Sequence, residues 1–121
     1  MIREMLPLLK KHHVDVYLSG HDHDMEYLTP QEGLNFFVSG AGGHHLREMG
    51  TDTGRRKWAV GLTPGFTVLE ADQDLLAVSF FCAQGSQSPL PQCRADNQVP
   101  PQLCRVKIRK GQPTDDSECR P

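Results

Sequence analysis

A short apolar alternation, Val14, Val16 and Leu18, runs directly into Ser19-Gly20-His21-Asp22-His23-Asp24. Alternation with period two makes residues 14–18 a strand with one apolar face. Ser19-Gly20 then lets the backbone turn sharply at its end. A parallel strand that stops in a polar loop is where open α/β sheets put their ligands. In an extended His-x-His the two rings leave the chain on nearly the same side with their nitrogens close together, which suits two neighbouring metal ions. Neutral imidazole is a good ligand for zinc, iron, copper or nickel. His21 and His23 are therefore candidate metal ligands, with solvated loop histidines as the plain alternative. Asp22 and Asp24, interleaved with them, are candidates to supply negative charge and hydrogen bonds behind the ligands.

Around this stretch the chain reads as alternating short elements. Ile2, Met5, Leu6 and Leu9 fall on one face of a helix that runs to about His12, with Pro7 placed in its first turn and Lys10 and Lys11 at the negative end of its dipole. His12 and His13 read as exposed residues ending that helix. Residues 25–28 form a brief strand, closed by the turn signal Thr29-Pro30-Gln31-Glu32-Gly33. Residues 35–39, rich in Phe36, Phe37 and Val38, form a buried strand running into Gly40-Ala41-Gly42-Gly43. No Lys-Ser/Thr pair follows those glycines, so they read as a tight turn beside the ligand loop and not as a phosphate-gripping P-loop. His44 is a candidate substrate contact, and His45 stands beside it. Residues 46–64 read as a long polar loop with Arg47, Arg55, Arg56 and Lys57 hydrated, and Trp58 as a packing anchor. Residues 65–70 and 75–81 make a β-hairpin.

The last third differs. Six of the nine prolines lie between Pro89 and Pro121, and apolar periodicity fades, so residues 86–121 are expected to be a disordered tail with at most a short strand at 104–109. Cys82, Cys93, Cys104 and Cys119 have three possible disulfide pairings, or stay as thiols; without a Cys-x-x-Cys pair a zinc ribbon is not expected. A length of 121 residues with 13 basic and 15 acidic side chains gives a net charge of −2, which offers no electrostatic footprint for nucleic acid or an anionic membrane. No apolar run is long enough to span a bilayer, and the first residues lack the layout of a secretory signal.

Tyr17-Leu18-Ser19-Gly20-His21-Asp22-His23-Asp24-Met25-Glu26-Tyr27-Leu28, followed by Phe37-Val38-Ser39-Gly40-Ala41-Gly42, resembles the closing part of a calcineurin-like metallophosphoesterase. Within that superfamily the stretch is most similar to the purple acid phosphatases of the tartrate-resistant type. The resemblance implies an α/β fold, reduced within these residues to an α+β arrangement: the C-terminal part of a βαβ sandwich made of helix, parallel-type strand, ligand loop and antiparallel strands. It implies that residues 1–85 are an incomplete metallophosphoesterase domain. It also implies two metal ions in the complete protein, iron paired with zinc, manganese or iron, with His21 facing the divalent ion and His23 its partner. The implied reaction is in-line hydrolysis of a phosphate monoester by a metal-bound hydroxide, in a secreted or lysosomal-type compartment.

The family's other ligand motifs, Asp-x-His, Gly-Asp-x-x-Asp and Gly-Asn-His, are absent from these residues, so the chain is expected to be a fragment that is inactive alone. Two competing readings are a lone zinc-binding module and a noncatalytic interaction fragment.

Overall fold

The computed structural model describes residues 2–43, 45–48, 54–84, 88–94 and 98–119. Helix α1 (Ile2–Lys11) leads into strand β1 (Val16–Ser19). His13 takes φ 54°, and its N–H donates to the Lys10 carbonyl while Val14 N–H donates to that of Leu9. This Schellman-type closure satisfies the helix's last carbonyls and turns the chain into β1. Pro7 sits inside the helix and not in its first turn. Its ring removes one backbone donor there, and the apolar stripe, not local propensity, has to hold the helix.

β1 pairs in parallel with β3 (Asn35–Ser39), and β3 pairs antiparallel with β2 (Met25–Leu28). On the far side of β2 lies β4 (Arg56–Val60), giving the order β1-β3-β2-β4. A second sheet, β5-β6-β7, is made by β5 (Gly65–Ala71), β6 (Leu76–Cys82) and β7 (Gln102–Ile108), all antiparallel. Asp72 closes the β5–β6 turn by accepting from the backbone N–H groups of Asp74 and Leu75. The α+β mixture expected from the sequence is thus present, and among the described residues no helix is long and apolar enough to cross a membrane.

The two sheets face each other across one core. Met25, Tyr27, Phe37, Trp58 and Val60 of the first sheet meet Val78, Phe80, Cys82, Cys104 and Val106 of the second. Phe80 is the hinge of this packing, its ring stacked 5.1 Å from Trp58 and tilted 6.0 Å from Phe37. Trp58 is the anchor that the sequence implies. Its surroundings are not the polar loop expected over 46–64, because residues 56–60 form β4. The charge of Arg56 is accommodated there by pairing with buried Glu26.

The tail expected to be disordered is structured where it is described. A short helix, α2 (Pro91–Arg94), is tied to β6 by the Cys82–Cys93 disulfide. β7 continues the second sheet across the boundary placed at residue 85, and Cys104 bonds Cys119. Residues 112–119 then strap the flank of the sandwich. Lys107 and Asp115 exchange backbone hydrogen bonds, Lys57 of β4 pairs with Asp116 at 3.2 Å, and Thr114 donates to Asn35 of β3.

Candidate metal-ligand loop

The loop 20–24 leaves β1 at its carboxyl end and returns into β2. Asp24 N–H donates to the Asp22 carbonyl at 2.8 Å, which makes the turn tight, and Gly40 N–H donates to the Asp24 carbonyl at 2.9 Å. A side-chain carbon at Gly40 would overlap the Asp22 carbonyl, so only glycine lets the chain leaving β3 lie against this turn. His21 holds φ 78°, a left-handed conformation costing a non-glycine residue about 1–2 kcal/mol.

Both imidazoles are exposed. His23 Nδ1 lies 3.0 Å from the carbonyl oxygen of His45. A carbonyl only accepts, so Nδ1 carries the proton and the lone pair of Nε2 is left for a ligand. The His45 segment is held in turn by Arg47, whose backbone N–H donates to the His23 carbonyl at 3.2 Å and whose own carbonyl accepts from Leu62 at 3.0 Å. His21 Nδ1 is 3.5 Å from Asp22 Oδ1.

Behind the histidines lies a partly buried ionic cluster. Asp24, 1% exposed, accepts from Arg47 Nε at 3.2 Å through Oδ2, and Arg47 also reaches Asp22 at 3.5 Å. Glu26, two residues on and so on the same face of the chain, is paired with Arg56. Burial, then the neighbouring Asp24 charge, raise the Glu26 pKa above the ordinary carboxyl value, against the pull of Arg56. Oδ1 of Asp24 is buried with no donor in reach.

The structure therefore sorts the expected site residues. His21 and His23 share one exposed loop, Asp22 is half-buried at its rim, and Asp24 faces inward onto Arg47. His44 lies outside the described residues. Among the described residues no group of three or more His, Cys, Asp or Glu side chains is placed to hold a metal. A cavity of about 630 Å³ opens at the opposite end of β1, lined by Lys10, His13, Asp15, Glu32, Asp74 and Lys110, far from these histidines. Sequence reasoning missed Arg47, Arg56 and Glu26. The alternation of Asp24 with Glu26 was a usable signal, whereas their arginine partners lie more than twenty residues away and announce themselves by no spacing.

No family model matches the chain. It is 35% identical to tartrate-resistant acid phosphatase type 5 of Sus scrofa over 92 residues, which are 70% of this chain and 27% of that protein. Human tartrate-resistant acid phosphatase type 5 is 40% identical over 42 residues, 35% of this chain and 13% of its own length. Purple acid phosphatase 17 of Arabidopsis thaliana is 42% identical over 40 residues, 32% of this chain and 12% of its own. The chain is related to the purple acid phosphatases of the tartrate-resistant type. It spans little more than a quarter of the length of the Sus scrofa and Oryctolagus cuniculus acid phosphatases. Relatives of this kind imply a dinuclear metal site, and two neutral imidazoles fit a share of one. Asp24 and Glu26 do not fit the remainder, because both are buried against arginines.

Proposed function

We infer that this chain supplies two nitrogen ligands, His21 and His23, to a dinuclear site that hydrolyses phosphate monoesters, and that by itself it has little or no activity. The observation that supports this reading is the His23–His45 hydrogen bond, which occupies Nδ1 and leaves the Nε2 lone pair of that ring for a metal. Iron paired with zinc, manganese or iron would polarise the phosphoryl group and activate water. The chain's own residues have the other tasks: His21 and His23 donate nitrogen lone pairs, the His45 carbonyl fixes the proton on Nδ1, and Arg47 holds the two loops together. His44 is the residue proposed to touch the phosphate.

The test is hydrolysis of p-nitrophenyl phosphate at mildly acidic pH with iron and zinc or manganese added. The isolated chain is expected to show no turnover above metal-only controls. Extended at its amino end by the unmatched part of the Sus scrofa relative, it is expected to turn over, with His21→Ala or His23→Ala lowering the rate at least 100-fold, on the order expected for losing a metal ligand. Robust turnover by the isolated chain, abolished by His21→Ala, overturns the claim of incapacity. Turnover by the extended form that survives both alanine changes overturns the ligand assignment.

A further inference from the structure

Leu62 lies in the connection between β4 and β5 and takes φ 52°. A bulky side chain resists that left-handed conformation, and residues held in it persist only where their surroundings over-determine them. The orientation has a use. The Leu62 N–H donates to the Arg47 carbonyl at 3.0 Å, and the Arg47 N–H donates to the His23 carbonyl at 3.2 Å. Two residues before Arg47, the His45 carbonyl accepts from the His23 ring. The segment that sets the His23 tautomer is thus held between the ligand loop on one side and Leu62 on the other.

Leu62 is braced by a buried chain of hydroxyls. Thr63, 1% exposed, donates its only hydroxyl proton to the Gly61 carbonyl at 2.9 Å and so bridges across Leu62. Its oxygen, 2.7 Å from that of Ser88, must then accept, which makes Ser88 the donor. Ser88, 2% exposed, accepts in turn from the Leu90 N–H at 3.1 Å. The donors all point one way, from Leu90 through Ser88 and Thr63 to Gly61, an order in which each bond polarises the next. Both ends of this path are fixed. Cys93 of α2 is bonded to Cys82 at the end of β6, Leu90 packs on the core, and the Ala83 N–H donates to the Pro64 carbonyl at 2.7 Å.

We propose that Ser88 and Thr63 are positioning residues for His23: they brace Leu62 in its left-handed turn and thereby keep the His45 carbonyl against the imidazole. Their influence passes through backbone, from Leu62 to Arg47 and from Arg47 to the ligand loop. Two buried hydroxyls that served packing alone would give no reason for a left-handed leucine between them and Arg47. The consequence for a metal at Nε2 rests on the function proposed above; the path to the ring does not.

Nitrogen NMR of the metal-free chain, above the pH at which imidazoles titrate, reads the ratio of the two His23 tautomers. Ser88→Ala and the shape-conserving Thr63→Val should each lower the ratio of Nδ1–H to Nε2–H by about fivefold, the order of one hydrogen bond's net worth. Thr63→Ser, which keeps the hydroxyl, should leave it unchanged. So should Cys104→Ser/Cys119→Ser, which loosens residues 112–119 and not this path. Asparagine tolerates left-handed backbone, so Leu62→Asn should restore the ratio in the Ser88→Ala background. Trp58 fluorescence checks folding; should Ser88→Ala not fold, Thr63→Val carries the same test, with Leu62→Asn placed in its background. The proposal is overturned if Thr63→Val leaves the ratio unmoved, if the disulfide variant shifts it as much, or if Leu62→Asn restores nothing. Zinc titration followed at the His23 ring is a separate arm, in which affinity should fall in Thr63→Val and hold in Thr63→Ser. A shifted tautomer with unchanged zinc affinity leaves the positioning role standing and sinks the metal reading alone.

Discussion

Arg47→Ala is the perturbation whose outcome the structure fixes most sharply. The guanidinium holds a fully buried carboxylate, Asp24, through one 3.2 Å hydrogen bond and is itself 45% exposed. Removing one partner of a buried pair typically costs 3–5 kcal/mol because the other charge is stranded. Water reaches this pair from the arginine side, so a loss of about 2 kcal/mol is expected, at the lower end once screening is counted. The reverse deletion, Asp24→Asn, leaves a solvated arginine and relieves the repulsion on Glu26; it should cost about 1 kcal/mol or less. The double variant should lie near Asp24→Asn alone, giving a coupling of about 1–2 kcal/mol.

Urea unfolding followed by the chain's single tryptophan, Trp58, measures all three, and 2 kcal/mol corresponds to a midpoint shift of about 1 M for a slope near 2 kcal/mol/M. A second readout is specific to the site. With Arg47 truncated, the His45 segment keeps its backbone hydrogen bonds but loses the side-chain tie to Asp24 and Asp22, and nitrogen NMR should show His23 shifting from one tautomer toward a mixture. Equal, additive costs for the two single changes, with the tautomer undisturbed, would refute the argument that a stranded buried charge and its arginine hold this loop.

Gly40→Ala should destabilise by more than about 1 kcal/mol, because the new carbon meets backbone that has no other place to go. Its signature is a shift of the His21 and His23 resonances with those of β7 unmoved. Cys104→Ser/Cys119→Ser opens a loop of sequence separation 15, worth about 3 kcal/mol in the chain-entropy account, and should raise amide exchange over residues 112–119 and β7 before the first sheet is affected. The acid limb carries opposite slopes. The raised Glu26 value adds stability that is complete below the ordinary carboxyl value and is lost as pH rises through the folded one. The lowered values of Asp72 and Asp115, each fixed by hydrogen bonds, and of Glu118 beside Lys107 add stability that is lost as pH falls. Glu26→Gln should therefore remove a fall in urea midpoint as pH rises above the ordinary carboxyl value, and an unchanged profile there would deny the raised value. Burial pushes the Tyr27 pKa up to about 12, so stability should fall progressively above pH 10, and absorbance at 295 nm in a Tyr17→Phe background should show the Tyr27 phenolate only as the chain unfolds.

What could be read from the sequence was whatever is encoded locally. β1 and its loop, β3, and the β5–β6 hairpin each carry period-two alternation and a turn signal within a few residues, and all appear where expected. β4 was hidden because Arg56 and Lys57 look like a hydrated run. Glu26, thirty residues earlier in sequence, pairs with Arg56 there. β7 was half legible: Cys104, Val106 and Ile108 alternate with Arg105, Lys107 and Arg109, but the flanking prolines mask the pattern and the partner strand lies more than twenty residues upstream. Disulfide pairing is not a local property at all, since three pairings fit the same four positions. For the site, the histidines were visible as a motif. The carbonyl that sets the His23 tautomer, and the arginine that brings that carbonyl, belong to a segment distant in sequence.

The charges around the loop explain why a chain with this motif need not be competent alone. Around the loop the carboxylates Asp22, Asp24 and Glu26 are already engaged by Arg47 and Arg56. Pairing is what permits Asp24 and Glu26 to be buried, because an unpaired carboxylate there would take up a proton. It also means that the loop offers incoming cations nitrogen lone pairs but no free buried carboxylate. Two ions about 4 Å apart carry four or five charges, and imidazoles do nothing to offset their repulsion. Anionic ligands must therefore arrive with the metals from outside the cluster.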